Sequence, residues 1–345
     1  MRVLGIETSC DETSAAIVER EGDKLTLRGL AIWTQDVHRI FGGVVPEMAS
    51  RAHLVAIEPV VDDALAQAGA SLDDIDGIAV THGPGLLGAL LVGVTWAKTV
   101  AWRERLPLIG VHHLEGHLFA PTLESPDVKP PFTALLVSGG HTLLLDVPAW
   151  GEYRLLGQTR DDAAGEAFDK VGSLLGLDYP AGAAVEKLAA TGDPKRFVFP
   201  RPLLIEKNSS FEFSFSGLKT AVLRAVEKSD DLDRDRADIA RGFQDAAIAV
   251  LVAKTLRATE EHDRRLVVLG GGVACNRALA NAMRSALAPR AAVAVASPRL
   301  NTDNAAMIAA AGSWRLARGE RYGHDLEARD SLPLPGLAAV SELSA

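Results

Sequence analysis

The stretch Arg2-Val3-Leu4-Gly5-Ile6-Glu7-Thr8-Ser9-Cys10-Asp11-Glu12-Thr13-Ser14-Ala15-Ala16-Ile17-Val18-Glu19 sets the frame for the whole chain. It reads as a strand (2–6), a polar turn (7–14) and a second strand (15–19). The same pattern returns far downstream: an apolar strand at 132–137, a turn Ser138-Gly139-Gly140-His141-Thr142, and a strand at 143–147. Two such hairpins suggest a duplication, with each of two related lobes opening on strand, small-residue loop and strand. Between and after them, helical stretches at 48–70, 85–101 and 239–259 alternate with strands at 75–80, 108–111 and 265–269. The pattern predicts an α/β protein of two lobes, mixed sheets flanked by helices, with a cleft between the lobes. The Pro-, Ser- and Ala-rich end after Arg329 reads as a loosely held tail.

A chain of 345 residues, 48% hydrophobic and 23% charged, suits a soluble globular protein of two domains. No apolar run reaches the ~20 residues that span a bilayer, and the N-terminus carries no secretory signal, so a cytoplasmic protein without a membrane role is expected. Two cysteines, Cys10 and Cys275, cannot build a disulfide framework and read as free thiols in small-residue loops. The net charge of −9 weighs against a broad nucleic-acid-gripping face. It leaves room for local basic clusters, such as Arg196, Arg201 and Lys207 or Lys98, Arg103 and Arg105.

Several loops carry candidate chemistry. Gly83-Pro84-Gly85-Leu86-Leu87-Gly88 fits GxGxxG, but no carboxylate ends the following strand and Pro84 removes a backbone donor, so a tight turn with close helix packing is the expected role. The turn Ser138-Gly139-Gly140 presents unobstructed amides and is an anion-nest candidate. The first hairpin's turn is acidic instead, which favours a metal or proton transfer, with Asp11 and Glu12 the candidate proton acceptors. Gly270-Gly271-Gly272-Val273-Ala274-Cys275-Asn276 links a buried strand to a helix and could lie under a nucleobase, with Asn276 bonding base or ribose.

His113 and His117 stand four residues apart, the helical spacing that aims two imidazoles at one metal ion. Nine histidines in 345 residues make one such pair unexceptional by chance. The zinc-protease pattern HExxH needs its general base directly after the first histidine; Glu115 comes one residue later and points away. Asp303, just before an apolar helix at 305–316, is either that helix's N-cap or a third, carboxylate ligand.

Taken together, ETSCDET (7–13), VVPEMASRAH (44–53), GPGLLGALLVG (83–93), HHLEGH (112–117), LLVSGGHT (135–142), DDAAGEAFDK (161–170), FSFSGLKT (213–220), GGGVACNR (270–277) and TDNAAMIA (302–309) resemble the bacterial tRNA N6-adenosine threonylcarbamoyltransferases. The likeness runs through nearly the whole chain, with the motifs in the family's order. It implies a two-lobed actin-like ATPase (sugar kinase/actin) fold, with 1–112 plus 304–345 as one lobe, 113–303 as the other, and the nucleotide and metal site in the cleft. It implies transfer of a threonylcarbamoyl group from threonylcarbamoyl-adenylate to N6 of adenosine 37 of tRNAs reading codons that start with A, with release of AMP. His113, His117 and Asp303 match the family's metal ligands, for iron or else zinc. Leu136, Val137, Ser138, Gly139, Gly140, Asp169, Gly182 and Asn276 match positions that hold the nucleotide: the adenylate, AMP or ATP. The implied partners are tRNA, an actin-like paralogue forming a heterodimer and a P-loop ATPase, while a separate synthase makes the donor. The chain departs from the family at Ala181, Ala305 and Cys275. It also has Leu136 where archaeal relatives carry a tyrosine, so a phenolate ligand is not expected. A metalloprotease and a small-molecule kinase are the competing readings.

Overall fold

A computed structural model of the protein describes residues 1–204 and 210–338. The chain opens with β1 (Arg2–Glu7), β2 (Glu12–Glu21) and β3 (Lys24–Thr34), followed by α1 (Pro46–Ala68), β4 (Gly77–Gly83), α2 (Leu87–Glu104), β5 (Leu108–His112) and α3 (His113–Phe119). Next come β6 (Phe132–Val137), β7 (Thr142–Ala149), β8 (Glu152–Gln158), α4 (Ala164–Leu174), α5 (Gly182–Ala189), α6 (Ser216–Glu227), α7 (Leu232–Glu261), β9 (Leu266–Gly270), α8 (Arg277–Leu287) and β10 (Ala292–Val295). The short α9 (Pro298–Asn301), α10 (Ala305–Ala317) and β11 (Leu337–Ala338) complete it.

The chain divides into two compact units, Met1–Lys129 with Ala296–Pro335, and Pro130–Val295 with the segment from Gly336 onward. Their sheets repeat one plan. The first has the order β3-β2-β1-β4-β5 and the second β10-β9-β6-β7-β8-β11. In each, the opening strand pairs antiparallel with the next and parallel with a later one, β1 with β2 and β4, β6 with β7 and β9. The duplication read from the two hairpins is therefore present as topology.

The unit boundaries fall at 129/130 and 295/296, not at the expected 112/113 and 303/304. The reason is packing: α3 lies against α10, where a Cβ on Gly116 would come within 2.8 Å of Ile308 Cδ1. Glu115 of α3 is also ion-paired to Arg315 of α10. In turn α10 is buried along most of its length and crosses β1 at Gly5, where a Cβ would meet the Ala305 carbonyl oxygen at 2.3 Å. A helix apolar on every side belongs inside, which is why the Ala-rich run 305–312 sits under the sheet.

Helix ends follow local chemistry. Gly69, left-handed at φ 59°, stops α1 two residues before its expected end. Asp231, whose side chain accepts from the Arg234 amide, starts α7 a full turn or more before the expected Ile239. The segment after Arg329 is not loose as far as it is described: the Arg329 amide donates to the His82 carbonyl (2.8 Å), the Gly85 amide to the Asp330 carbonyl (3.2 Å), and His112 Nε2 lies 2.9 Å from the Leu332 carbonyl. Residues 339–345 of that tail lie outside the described residues.

The glycine motif at 83–88 is a packing device, as expected. Cβ atoms there would meet the Arg329 carbonyl oxygen at 2.4 Å from Gly83, the Ser9 carbonyl oxygen at 2.6 Å from Gly85 and Ser50 Oγ at 2.4 Å from Gly88.

Candidate active site

Strand register builds the first unit's site. β1 pairs with β4 so that Ile6 faces Val80, and β4 with β5 so that Thr81 faces Val111. Glu7, Thr81 and His113 consequently leave three neighbouring strands at one end of the sheet. α3 starts there without a loop, capped by His112, whose Nδ1 accepts from the Leu114 amide at 3.2 Å. The helical spacing then places the His113 and His117 rings 4.9 Å apart, edge to face.

Asp303 completes the group. Its Oδ1 lies 3.3 Å from His117 Nε2 and 3.6 Å from His113 Nε2, and the three ligand atoms lie within 4.8 Å of one another. Donors on a tetrahedral ion at ~2.0 Å stand ~3.3 Å apart, close to the two His–Asp303 separations of 3.3 and 3.6 Å, and two imidazoles with one carboxylate are donors that zinc or iron accepts. Both ring nitrogens of His117 are buried without a hydrogen-bond partner. That is costly for an imidazole with no other ligand to bind. The cap of α10 is Asn304, not Asp303: its Oδ1 accepts from the Met307 amide at 3.1 Å, and its Nδ2 donates to the carbonyls of Leu300 and Thr302. The capping alternative for Asp303 is thereby removed, and its carboxylate turns to the histidines.

The acidic turn of the first hairpin lies in the same electrostatic field. Burial, then Asp303 and Asp11, push the Glu12 carboxyl up to about 10, so it carries its proton at neutral pH. Burial, Asp11 and Asp303 also push the Cys10 thiol far above its ordinary range, which disarms it as a nucleophile. His53 holds the turn from α1, with Nε2 2.9 Å from the Cys10 carbonyl and Nδ1 2.8 Å from Thr13 Oγ1. Burial pushes the His113 imidazole down, but Asp303 and then Glu7 outweigh it and raise it to about 9.

Glu115 weighs against the protease reading. It is fully buried, and both its oxygens accept from Arg315, at 2.7 and 2.8 Å. No general base for a metal-bound water is presented by that residue.

The nucleotide candidates belong to the second unit. Leu136 and Val137 are buried at the end of β6, where Leu136 is in register with Gly270 at the end of β9. The turn is closed by the Ser138 amide donating to the His141 carbonyl (2.8 Å), and Gly139 and Gly140 stand exposed with open space where their Cβ atoms would be. α4 starts against this turn: a Cβ on Gly165 would lie 2.5 Å from the Ser138 carbonyl oxygen. Asp169 Oδ1 accepts from the Ala181 amide at 2.8 Å, beside Gly182 at the start of α5. Burial raises the Asp169 carboxyl despite the hydrogen bonds from the Ala181 and Gly182 amides. The glycine loop after β9 comes close too, since a Cβ on Gly271 would lie 2.5 Å from the Val137 carbonyl oxygen. Asn276 is engaged within the fold, capping α8 through the Leu279 amide (3.0 Å) and donating to Gln244 Oε1 (2.9 Å). Ends of parallel strands followed by helices are the usual ligand position in α/β sheets.

Of the basic clusters, Arg196 is committed to Asp235 (2.6 Å) and Asp238 (2.9 Å), and Lys207 lies outside the described residues. Lys98, Arg103 and Arg105 line a cavity of about 750 Å³ together with Trp102 and Tyr322.

Sequence comparison decides the kinship. Residues 26–310 match the family model described as tRNA N6-adenosine threonylcarbamoyltransferase. The chain belongs to that family. A threonylcarbamoyltransferase of this name from Gemmatimonas aurantiaca is 61% identical over 99% of both chains, and one from Syntrophotalea carbinolica is 52% identical over 97% of both. Among solved structures, component A of the (R)-2-hydroxyglutaryl-CoA dehydratase of Acidaminococcus fermentans shares the fold at 15% identity, with a TM-score of 0.56 over 92% of this chain and 99% of that one. HypF from T. kodakarensis does so at 13% identity and TM-score 0.62, over 94% of this chain and 49% of that one. The threonylcarbamoyltransferase chain is thus an α/β protein with two mixed sheets flanked by helices, a fold shared with these two structures.

The residue that reasoning from sequence left without a role is Glu7. It was legible only as one acid among several in the first turn; the signal that singles it out is strand register.

Proposed function

We propose that the protein transfers the threonylcarbamoyl group from threonylcarbamoyl-adenylate to N6 of adenosine 37 in tRNAs reading codons that start with A. The observation that carries this reading is the convergence of His113, His117 and Asp303 in a chain of this family. The reaction is acyl transfer from a mixed anhydride: the N6–carbonyl bond forms, the carbonyl–phosphate oxygen bond breaks, AMP leaves and N6 gives up a proton. His113, His117 and Asp303 would hold iron or zinc. When bound, that ion supplies Lewis-acid polarisation or orientation of the donor. The exposed backbone at Gly139 and Gly140 is suited to the adenylate phosphate, with Asp169, Gly182 and the ends of β6 and β9 framing the nucleotide, while Asn276, bonded to Leu279 and Gln244, would act by holding the start of α8. Asp11 and Glu12 are the candidate acceptors of the amine proton; in the metal-free protein burial, then Asp303 and Asp11, raise Glu12 to about 10.

The tRNA contact we assign includes the cavity of Lys98, Arg103 and Arg105, where Trp102 and Tyr322 are exposed and able to stack. The exposed Leu54 and Val55 of α1 and Leu87 and Leu91 of α2, two helices that touch at Ser50 and Gly88, suit an apolar partner such as the actin-like paralogue. A P-loop ATPase and a donor-making synthase complete the proposed cytoplasmic system. Among the described residues no helix is long and apolar enough to cross a membrane.

The test is reconstitution. The purified chain with these partners, donor and unmodified tRNA is expected to yield the threonylcarbamoylated nucleoside by mass spectrometry. Absence of product, while an established homologue succeeds in the same mixture, refutes the reading. Proteolysis abolished by His113→Ala would favour the protease instead.

A further inference from the structure

Glu7 ends β1 with no solvent exposure. Its Oε2 lies 3.0 Å from His113 Nδ1 and accepts from Thr81 Oγ1 at 2.7 Å, while Oε1 accepts from the Ser9 amide at 2.5 Å. Ser9 Oγ stands 3.2 Å from the same imidazole nitrogen. Three donors, the Ser9 amide, the Thr81 hydroxyl and the His113 ring, surround this buried carboxylate and favour its charged form.

The consequence falls on the imidazole. With Nδ1–H donated to Glu7, the lone pair of a neutral His113 resides on Nε2, the nitrogen 3.6 Å from Asp303. The opposite tautomer would set the Nδ1 lone pair against a carboxylate oxygen at 3.0 Å, a repulsion that a bond from the neutral Ser9 hydroxyl at 3.2 Å would only partly offset. His117 has no such support, because neither of its ring nitrogens has a hydrogen-bond partner. The two histidines are therefore unequal: Glu7 backs the His113 ring at Nδ1, whereas the His117 ring has Asp303 3.3 Å from Nε2 and no hydrogen-bond partner at Nδ1.

We propose that Glu7 is the positioning residue of the metal site, fixing the tautomer and ring plane of His113 and placing a second negative charge behind the His113–Asp303 pair. This rests on the reading of His113, His117 and Asp303 as ligands. A carboxylate behind a ligating histidine raises its basicity, and loss of such a partner typically weakens metal binding about 10- to 100-fold.

The experiment is a competition titration of zinc(II) between the full chain and a chromophoric chelator. Glu7→Gln, which removes the charge and can turn its amide N–H₂ toward His113, is expected to bind zinc about 10- to 100-fold more weakly, with unchanged far-UV circular dichroism. Glu7→Asp, charged but shorter, is expected to fall between it and wild type. Wild-type-like affinity in Glu7→Gln overturns the proposal, whereas a wild-type chain that takes up no zinc overturns the ligand reading beneath it. Should Glu7→Gln fail to fold, ¹⁵N-histidine spectra of the zinc-loaded wild type decide the matter. A His113 protonated at Nδ1 and bound through Nε2 is expected, and zinc on Nδ1 refutes the positioning role.

Discussion

Replacing Arg315 by methionine tests how the ligand helix is held. Glu115 has no exposure and the Arg315 side chain only 11%, so their two hydrogen bonds of 2.7 and 2.8 Å belong to the buried class of ion pair. An exposed pair would contribute at most about 1 kcal/mol, but removing one partner of a buried pair costs about 3–5 kcal/mol because the other charge stays inside. The second contact of Arg315, to the 37%-exposed Glu320, adds little to that sum. Against a total of about 5–15 kcal/mol, Arg315→Met should remove a large share of stability. Urea unfolding followed by tryptophan fluorescence is a suitable assay, since Trp314 packs near Phe119 of α3 with ring centroids 5.9 Å apart. The double variant Glu115→Leu/Arg315→Met should recover most of the loss, as apolar replacements of buried pairs commonly do. Glu115→Gln should lower activity no more than it lowers zinc affinity. The reasoning fails if Arg315→Met unfolds within about 1 kcal/mol of wild type. It fails equally if Glu115→Gln abolishes transfer with stability and zinc binding intact, which would give Glu115 a chemical role.

Four further outcomes are expected. In metal-free protein the His113 imidazole is raised from 6.5 to about 9, and at 1.36 kcal/mol per unit this links about 3 kcal/mol to its proton. A raised folded value gives stability that is fully present below about pH 6.5 and lost as pH rises through 9, so metal-free melting temperature should fall across that window; a flat profile refutes the assignment. Zinc uptake near pH 7.5 should correspondingly release about one proton from His113, measurable in buffers of differing ionisation enthalpy. Asn304→Ala should cost about 1 kcal/mol by loss of the α10 cap and should also weaken zinc binding, because the same side chain holds the Thr302 carbonyl beside Asp303. Gly165→Ala should raise the KM for the adenylate donor with zinc affinity unchanged, since its Cβ would press on the Ser138 carbonyl.

How much of this was legible depends on how local each signal is. β6 is found at the expected 132–137, and α10 differs by one residue from the expected 305–316, because unbroken apolar runs declare buried elements. β3 went unread: Lys24–Thr34 is an edge strand with mixed exposure and a register shift opposite Ile17 and Val18, and its identity comes from pairing with β2. β8 and the two-residue β11 were missed for the same reason.

The site divides along the same line. His113 and His117 announce themselves because helix geometry makes a four-residue spacing meaningful within one element. Asp303 was ambiguous because two adjacent residues, Asp303 and Asn304, can both cap a helix, and the sequence does not say which oxygen reaches the Met307 amide. The structure gives that bond to Asn304, and the Asp303 carboxylate, 186 positions beyond His117, lies 3.3 Å from its Nε2. Glu7 was not legible at all as a partner of His113, since nothing local links position 7 to position 113. Their meeting follows from β1 and β5 both flanking β4, so that register across three strands brings Glu7 to His113 while helix spacing brings His117 beside it.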